Sequence, residues 1–173
     1  MKKLILSLLV AAFVGGNTLS AQTITKNEDG KYSLSVGHVT LTVDAQKGGK
    51  IVSYRYDDKE ILSQTKIPNS FGSTFWTSPQ SEWNWPPVPE YDTKPFNAEV
   101  AGDKLILTGE KSKRFGYRVR KELTTDKKDN AIVITYTIIN ESGEIRKVAP
   151  WEISRVPNGG ILFFDAKEVT PAN

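Results

Sequence analysis

The stretch AIVITYTIIN, residues Ala131–Asn140, is the longest apolar stretch after the N-terminal region, and it decides the fold class. One side of an extended chain here carries only large apolar residues, and the other side carries mildly polar or β-branched ones. The two sets are Ile132, Ile134, Tyr136 and Ile138, and Val133, Thr135, Thr137 and Ile139. Such a strand is typical of a sheet position that is covered on both faces. We therefore predict a central strand of a β-structure.

Shorter strand-like stretches occur on both sides of this strand. Val39, Leu41 and Val43 alternate with polar residues, as expected for a half-buried strand. Asp57-Asp58 and Gly102-Asp103 separate pairs of such stretches and are typical of tight hairpin turns. The predicted strands are 31–36, 38–43, 50–56, 59–62, 97–101, 104–110, 117–123, 146–156 and 160–164. Many short strands joined by turn residues indicate an all-β fold, an antiparallel sandwich or barrel.

The N-terminal segment is predicted to be a secretory signal peptide. Lys2 and Lys3 precede an apolar run at 4–14, and small and polar residues follow as far as Ala21. The run is shorter than the roughly 20 residues that span a bilayer, so we predict no membrane insertion. Cleavage near Ala21 would leave residues 22–173 as a single domain, located in the periplasm or secreted.

Composition excludes several classes of function. Without cysteine, neither disulfides nor a cysteine-linked lipid anchor can form. The chain has 23 basic and 20 acidic residues, and removal of Lys2 and Lys3 reduces its net charge from +3 to +1. Charges of both signs are scattered along the chain, so we predict no nucleic-acid partner. With one histidine, His38, and no spaced set of carboxylates, we predict neither a metal site nor a cofactor.

The stretch FGSTFWTSPQSEWNWPPVPEYDTKPF, residues 71–96, holds three of the four tryptophans and is predicted to be a long irregular connection. Trp76, Trp83 and Trp85 are interleaved with prolines and with polar residues such as Gln80. Sugar rings present faces of C–H groups that stack on aromatic rings, so this composition suits a saccharide. Alternatively, the rings could close the open end of a sandwich as a plug. The sequence leaves both interpretations open.

Four stretches resemble a known family. VDAQKGGKIVSYRYDDKEIL (43–62) is similar to the opening of galactose mutarotase-like domains. GSTFWTSPQSEW (72–83), YRVRKELTT (117–125) and IVITYTIINESGEIRKVAPWEIS (132–154) resemble secreted bacterial proteins of that superfamily, catalogued as domain of unknown function 4380. The resemblance implies a two-layer antiparallel β-sandwich of the supersandwich type, whose concave sheet binds carbohydrate. It also implies a fold that is incomplete at its C-terminal end, because the chain stops at Asn173.

Aldose epimerases of this superfamily use a histidine and a glutamate as acid and base. At the place of the histidine motif this sequence reads Pro150-Trp151-Glu152, and the C-terminal glutamate has no counterpart. The resemblance therefore implies carbohydrate binding without catalysis. It is strongest around Trp76, Gln80, Arg120, Trp151 and Glu152. The alternation pattern also allows Trp151 to be a core residue and Arg120 to pair with Glu122 or with a neighbour across the sheet.

Three hypotheses about function follow. The first is an exported carbohydrate-binding domain with no catalytic residue, whose ligand-binding residues are Trp76, Gln80, Trp83, Trp85, Arg120, Trp151 and Glu152. The second is a sugar epimerase or another carbohydrate-active enzyme that uses carboxylates. The third is a structural or truncated remnant with buried tryptophans and no ligand. An incomplete sandwich also exposes a strand edge, through which we predict self-association.

Overall fold

The computed structural model of the protein describes residues 24–65, 67 and 70–161. The predicted signal peptide lies outside these residues, as does most of the strand predicted at 160–164. In the described part, β-strands predominate and form two antiparallel sheets that pack against each other. The predicted all-β antiparallel sandwich is confirmed.

The strands follow the predicted pattern closely in the first and last thirds of the chain. They are β1 (Ile24–Lys26), β2 (Tyr32–Val36), β3 (Val39–Asp44), β4 (Lys50–Tyr56), β5 (Lys59–Glu60), β6 (Ser73–Ser78), β7 (Asn97–Ala101), β8 (Lys104–Thr108), β9 (Tyr117–Asp126), β10 (Ala131–Asn140) and β11 (Ala149–Ser154). The predicted hairpins join β4 to β5 and β7 to β8. β1 and β6 are not among the predicted strands.

The two sheets differ in how far apart in the sequence their paired strands lie. The smaller sheet has the order β10-β9-β8-β7, in which every strand pairs with its neighbour in the sequence. The larger sheet has the order β1-β2-β3-β4-β6-β11, with β5 beside β4. Its last pair, β6 and β11, joins segments that are far apart in the chain.

The inner faces of both sheets form the core. Alternate residues of β9 and β10 point inward, where β9 packs against β2 of the larger sheet and β10 packs against β2 and β3. The fully buried members include Leu34, Val43, Phe75, Leu105, Leu107, Tyr117, Val119 and Leu123. Outward-facing residues of β9, such as Arg118 and Glu122, are only partly buried. This regular alternation is what assigns each candidate residue below to the inner or the outer face of its sheet.

The predicted central position of Ala131–Asn140 is wrong. These residues form β10 with the predicted bounds, but β10 pairs only with β9 in the described part and is the edge of the smaller sheet. On its outer face Val133, Thr135 and Thr137 are exposed, and its inner face is only half-buried. β-branched residues pack well on a pleated surface whether or not a second layer covers it. The pattern therefore indicated a strand correctly and its place in the sheet incorrectly.

The prediction that residues 71–96 are an irregular connection is also wrong for much of the stretch. It contains β6, a 3₁₀ turn at Gln80–Glu82 and a short helix, α1 (Pro89–Asp92). Phe75 of β6 is buried and stacks on Tyr136 of β10, with 4.7 Å between ring centroids. Three further residues of the stretch, Val88, Tyr91 and Phe96, join the core. No helix in the described residues is long and apolar enough to span a membrane.

Candidate functional site: a tryptophan cluster on the larger sheet

β6 and β11 place two tryptophans side by side. Trp76 and Trp151 are directly opposite each other in the antiparallel register, so their side chains lie on the same face of the sheet. That face is the outer one, because Phe75 and Glu152, the adjacent pair, point inward toward β10. The two indole rings are 5.6 Å apart between centroids and nearly perpendicular. This edge-on arrangement is one of the favoured geometries for aromatic pairs.

The segment after β6 brings the other two tryptophans to the same place. Trp83 follows the 3₁₀ turn, and its ring lies 5.8 Å from that of Trp76. Trp85 is two residues further on, and its ring lies 5.9 Å from Trp76 on an edge-on approach. The other three tryptophans of the chain therefore surround Trp76. We call this set, Trp76, Trp83, Trp85 and Trp151, the tryptophan cluster.

The rings of the tryptophan cluster differ in exposure. Trp76 and Trp83 are 7% and 3% exposed, whereas Trp151 is half-buried and Trp85 is 67% exposed. The buried pair is also fixed by hydrogen bonds. The Trp76 Nε1–H donates to Asp92 Oδ1 at 2.8 Å, and the Trp83 Nε1–H donates to the Thr77 carbonyl oxygen at 2.8 Å. Two rings thus act as support, and the other two present apolar surface to solvent.

A shallow depression adjoins Trp151. Its volume is about 440 Å³, and it is open to solvent on one side. The lining residues are Ser78, Pro79, Gln80, Ser81, Ala149, Pro150 and Trp151. Gln80 and Ser81 are exposed there, so an amide and a hydroxyl lie next to an aromatic ring. The structure thus brings Gln80 together with the tryptophan cluster.

Glu152 lies on the other side of the larger sheet. Because successive side chains of a strand point to opposite faces, Glu152 faces the smaller sheet while Trp151 faces away from it. Its carboxylate accepts a hydrogen bond from the Ser73 hydroxyl. It lines a cleft of about 290 Å³ between the sheets, together with Tyr136 and with apolar residues of both sheets. Burial raises the pKa of Tyr136, and the neighbouring Glu152 charge adds to that effect.

Arg120 is also separate from the tryptophan cluster. It lies on the outer face of the smaller sheet, where β9 pairs with β8 and β10. Its Nη2 forms an ion pair of 3.0 Å with Glu122 Oε1 on the same strand. Of the seven residues predicted to bind a ligand, Arg120 and Glu152 thus lie apart from the five that gather around Trp76 and the adjoining depression.

Lys121 is a buried ionisable residue that is not among the predicted site residues. It is 3% exposed, and its Nζ donates to the carbonyl oxygens of Gly48 and Gly49 at 2.8 and 2.9 Å. Burial lowers the pKa of Lys121 to about 8, although the charges of Glu152 and Asp92 act in the opposite direction. One sequence signal was present, because in YRVRKELTT this lysine occupies the inward alternation that otherwise holds Tyr117, Val119 and Leu123.

The histidine is in an unrelated part of the surface. His38 lies in the turn between β2 and β3, and its Nδ1 is 2.6 Å from Asp57 Oδ1. Its ring stacks on Tyr56 at 5.5 Å, and both partners of the His38–Asp57 contact are well exposed. Within the residues that the structure describes, no group of three or more histidine, aspartate or glutamate side chains is arranged to hold a metal ion.

Comparisons with known proteins add little to this geometry. No protein-family model matches the chain, and no curated protein sequence matches it. Among solved structures, the chain is similar to a 4-alpha-glucanotransferase from Thermococcus litoralis, with 15% sequence identity and a TM-score of 0.43. The similarity covers 66% of this chain and 23% of that enzyme's chain.

Proposed function

We propose that the protein is a carbohydrate-binding domain and that the exposed rings of the tryptophan cluster are its binding surface. The observation that carries this proposal is the division of the cluster into buried and exposed rings. Trp85 is 67% exposed although it is in edge-on contact with the buried Trp76. A cluster that served only to close the sandwich would gain more from covering this ring, because burial of a tryptophan is strongly favourable.

The proposed binding mode is stacking of a sugar ring on Trp85 and Trp151. Both rings contact Trp76 edge-on, and the position of Trp76 is fixed by its hydrogen bond to Asp92. A surface whose rings are already positioned loses little side-chain entropy when a ligand stacks on it, which favours affinity. Gln80 and Ser81, beside Trp151, would supply the hydrogen bonds that orient sugar hydroxyls.

We propose binding without catalysis because two carboxylates near the tryptophan cluster, those of Asp92 and Glu90, already have partners. Asp92 accepts the indole hydrogen bond of Trp76, and Glu90 forms an ion pair with Lys94 at 3.1 Å. Glycoside chemistry by carboxylates needs two of them facing one ligand. Polarimetry with a panel of aldoses distinguishes the alternative, a sugar epimerase. Mutarotation faster than in buffer would contradict the non-catalytic proposal.

The resemblance to secreted mutarotase-like proteins and the signal-like segment at 1–21 support an exported location. We therefore propose that this domain meets its saccharide outside the cytoplasm. Expression of the full chain followed by N-terminal sequencing of the exported fraction checks this. Mature protein that begins near Gln22 is expected, and a protein retained in the cytoplasm with Met1 would contradict it.

Replacement of Trp85 with alanine is expected to weaken saccharide binding by up to about tenfold, because one stacked aromatic ring contributes roughly 0.5 to 1.5 kcal/mol. Isothermal titration calorimetry with a panel of oligosaccharides measures this. The thermal midpoint should change little, since Trp85 is mostly exposed.

The matched control is Tyr56→Ala, which removes another exposed aromatic ring that stacks on His38, outside the tryptophan cluster. The saccharide affinity of the Tyr56→Ala variant should equal that of the unmodified protein. Equal affinities for the Trp85→Ala variant and the unmodified protein would refute the proposed surface, and failure of every saccharide to bind would refute the function.

We also propose self-association through β10. This ten-residue strand has no charged residue and no proline, although natural edge strands usually carry such residues to prevent pairing. Thr135→Lys places a charge on the exposed face of β10, and Thr40→Lys places the same charge on β3, which is paired on both sides. Sedimentation velocity should show a dimer for the unmodified protein and the control, and a monomer for Thr135→Lys. A monomeric unmodified protein would contradict this proposal.

A further inference from the structure

Two cations lie beside the tryptophan cluster. Ile51, Ser73 and Ser154 are aligned across β4, β6 and β11, and they point inward. The residues next to them, Lys50 on β4 and Arg155 after β11, therefore point to the outer face, as Trp76 does. The guanidinium carbon of Arg155 is 5.8 Å from the centroid of the Trp76 ring. Arg155 and the two exposed tryptophans thus all border the same indole.

Arg155 is held in place by only part of its guanidinium group. Its Nη1 donates to the Thr74 hydroxyl at 3.1 Å and to the Ile153 carbonyl oxygen at 3.4 Å. In the described part of the chain, its Nε and Nη2 form no hydrogen bond, and no carboxylate lies within ion-pair distance. The fork of two adjacent N–H donors in a guanidinium group matches the geometry of a planar anion such as a carboxylate.

Lys50 adds a second positive charge at this place. It is 5% exposed, and its Nζ lies 4.0 Å from the centroid of the Phe71 ring. Burial, together with the Arg155 charge, lowers the pKa of Lys50, and the Asp92 charge opposes this change in part. Across residues 24–65, 67 and 70–161, Lys50 forms no ion pair.

The balance of charge at this site is positive. The charges that act on Lys50 are the positive ones of Arg155 and Lys47 and the negative one of Asp92, whose Oδ1 already accepts the hydrogen bond of Trp76. Lys50, Arg155 and Lys47 together with the one carboxylate of Asp92 leave a net charge of +2 next to an exposed aromatic surface. Partly buried charges of one sign are stabilised when a ligand brings the opposite charge.

We propose that the saccharide bound by the tryptophan cluster carries an anionic group, a carboxylate or a sulfate, which Arg155 binds and Lys50 stabilises. This inference rests on the proposed carbohydrate-binding function and names its class of ligand. The sugar ring stacks on Trp85 and Trp151, and its anionic substituent extends over Trp76 toward Nε and Nη2 of Arg155, which have no partner among the described residues. Uronic acid residues and sulfated sugars both provide such a substituent.

The test compares charged and neutral forms of the same oligosaccharide. The carboxylate arm uses an oligogalacturonate and its methyl ester, and the sulfate arm uses a sulfated galactan oligosaccharide and its desulfated form. Calorimetry at low ionic strength is carried out on the unmodified protein and on Arg155→Gln, Arg120→Gln and Trp85→Ala. Arg120→Gln is the matched control, because it removes the same charge from the smaller sheet, and circular dichroism establishes that each variant is folded.

At least one charged form is expected to bind about tenfold more tightly than its neutral form, in line with the strength of a charge-assisted hydrogen bond. Arg155→Gln should abolish this preference, and Arg120→Gln should keep it. Equal binding of charged and neutral forms, or a preference that survives in Arg155→Gln, would overturn the inference.

These outcomes are separable from those that concern the proposed function. If neutral forms bind and Trp85→Ala weakens them, the carbohydrate surface stands even when the charge preference is absent. If no oligosaccharide binds in either arm, both the proposed function and this inference fail.

Discussion

Replacement of Trp76 with alanine is expected to lower the free energy of unfolding by about 4 kcal/mol, the range found for buried aromatic residues. Trp76 is 7% exposed, and the other three tryptophans all pack against it. The substitution also removes the indole donor of Asp92, so that a partly buried carboxylate loses a hydrogen bond. Trp76 is therefore expected to be the residue on which the order of the whole cluster depends.

Guanidinium denaturation followed by far-ultraviolet circular dichroism measures this effect, because tryptophan emission would itself change with the substitution. Trp76→Phe should lose less stability, about half as much, since it keeps an aromatic ring and loses only the donor and some area. Trp85→Ala should be nearly neutral. If Trp76→Ala and Trp85→Ala had the same midpoint, the division into supporting and exposed rings would be wrong.

The second large effect is a dependence of stability on pH that arises from Lys121. Its folded-state pKa of about 8 lies below the value of about 10.4 of an unfolded chain. Below pH 8 both states carry the charge, and the folded state bears the full cost of burying it. Between about pH 8 and 10.4 the unfolded state binds more protons, so the free energy of unfolding rises with pH. The total increase in the free energy of unfolding that Lys121 causes is about 3 kcal/mol, of which roughly 2 kcal/mol is expected between pH 7 and 10.

Other ionisable groups set the upper limit of the pH range in which stability rises. Glu152 and Asp92 favour its charged form, whereas burial opposes it and dominates. Burial also raises the pKa of Tyr91 and of Tyr136, so both stay neutral in the folded state while they ionise in the unfolded chain above about pH 10. Stability is therefore expected to rise to a maximum near pH 10 and then fall.

Lys121→Met isolates the effect, because methionine has a similar shape and no charge. Denaturation midpoints measured from about pH 7 to pH 10 should rise in the unmodified protein and be flatter in this variant. The variant leaves the carbonyl oxygens of Gly48 and Gly49 without their donor, which lowers its stability at every pH. The informative quantity is therefore the slope of its stability against pH. Parallel curves for the two proteins would contradict a lowered pKa of Lys121.

The local features of the fold were predictable because turn chemistry acts over a few residues. Asp57 and Gly102 both adopt positive φ angles, 48° and 63°, which aspartate and glycine tolerate better than most residues. The hairpins β4–β5 and β7–β8 could therefore each be predicted from the two residues of the turn, Asp57-Asp58 and Gly102-Asp103. β6 was missed because its six residues, STFWTS, stand directly before a proline-rich stretch and show no contrast between faces.

Long-range features were not predictable on the same basis. β10 is apolar on one face and β-branched on the other, a pattern that suits an edge as well as a centre. Trp151 and Trp76 meet only because β11 pairs with β6, a partnership between segments that no local signal specifies. Glu152 was assigned to the same site as Trp151 on the strength of a motif, although alternation places adjacent residues on opposite faces.

The pairing of β6 with β11 also has a kinetic consequence. Ser73 and Glu152, which contact each other across this pair, are 79 positions apart, whereas the smaller sheet is built from neighbouring strands. Closing so large a loop costs conformational entropy before the contacts between β6 and β11 can form. Such pairings therefore form late and slow folding. In stopped-flow refolding, far-ultraviolet ellipticity from the smaller sheet should precede the near-ultraviolet signal of packed indoles. The surface on which a sugar would stack thus comes into existence only when the polypeptide completes its search for the native topology.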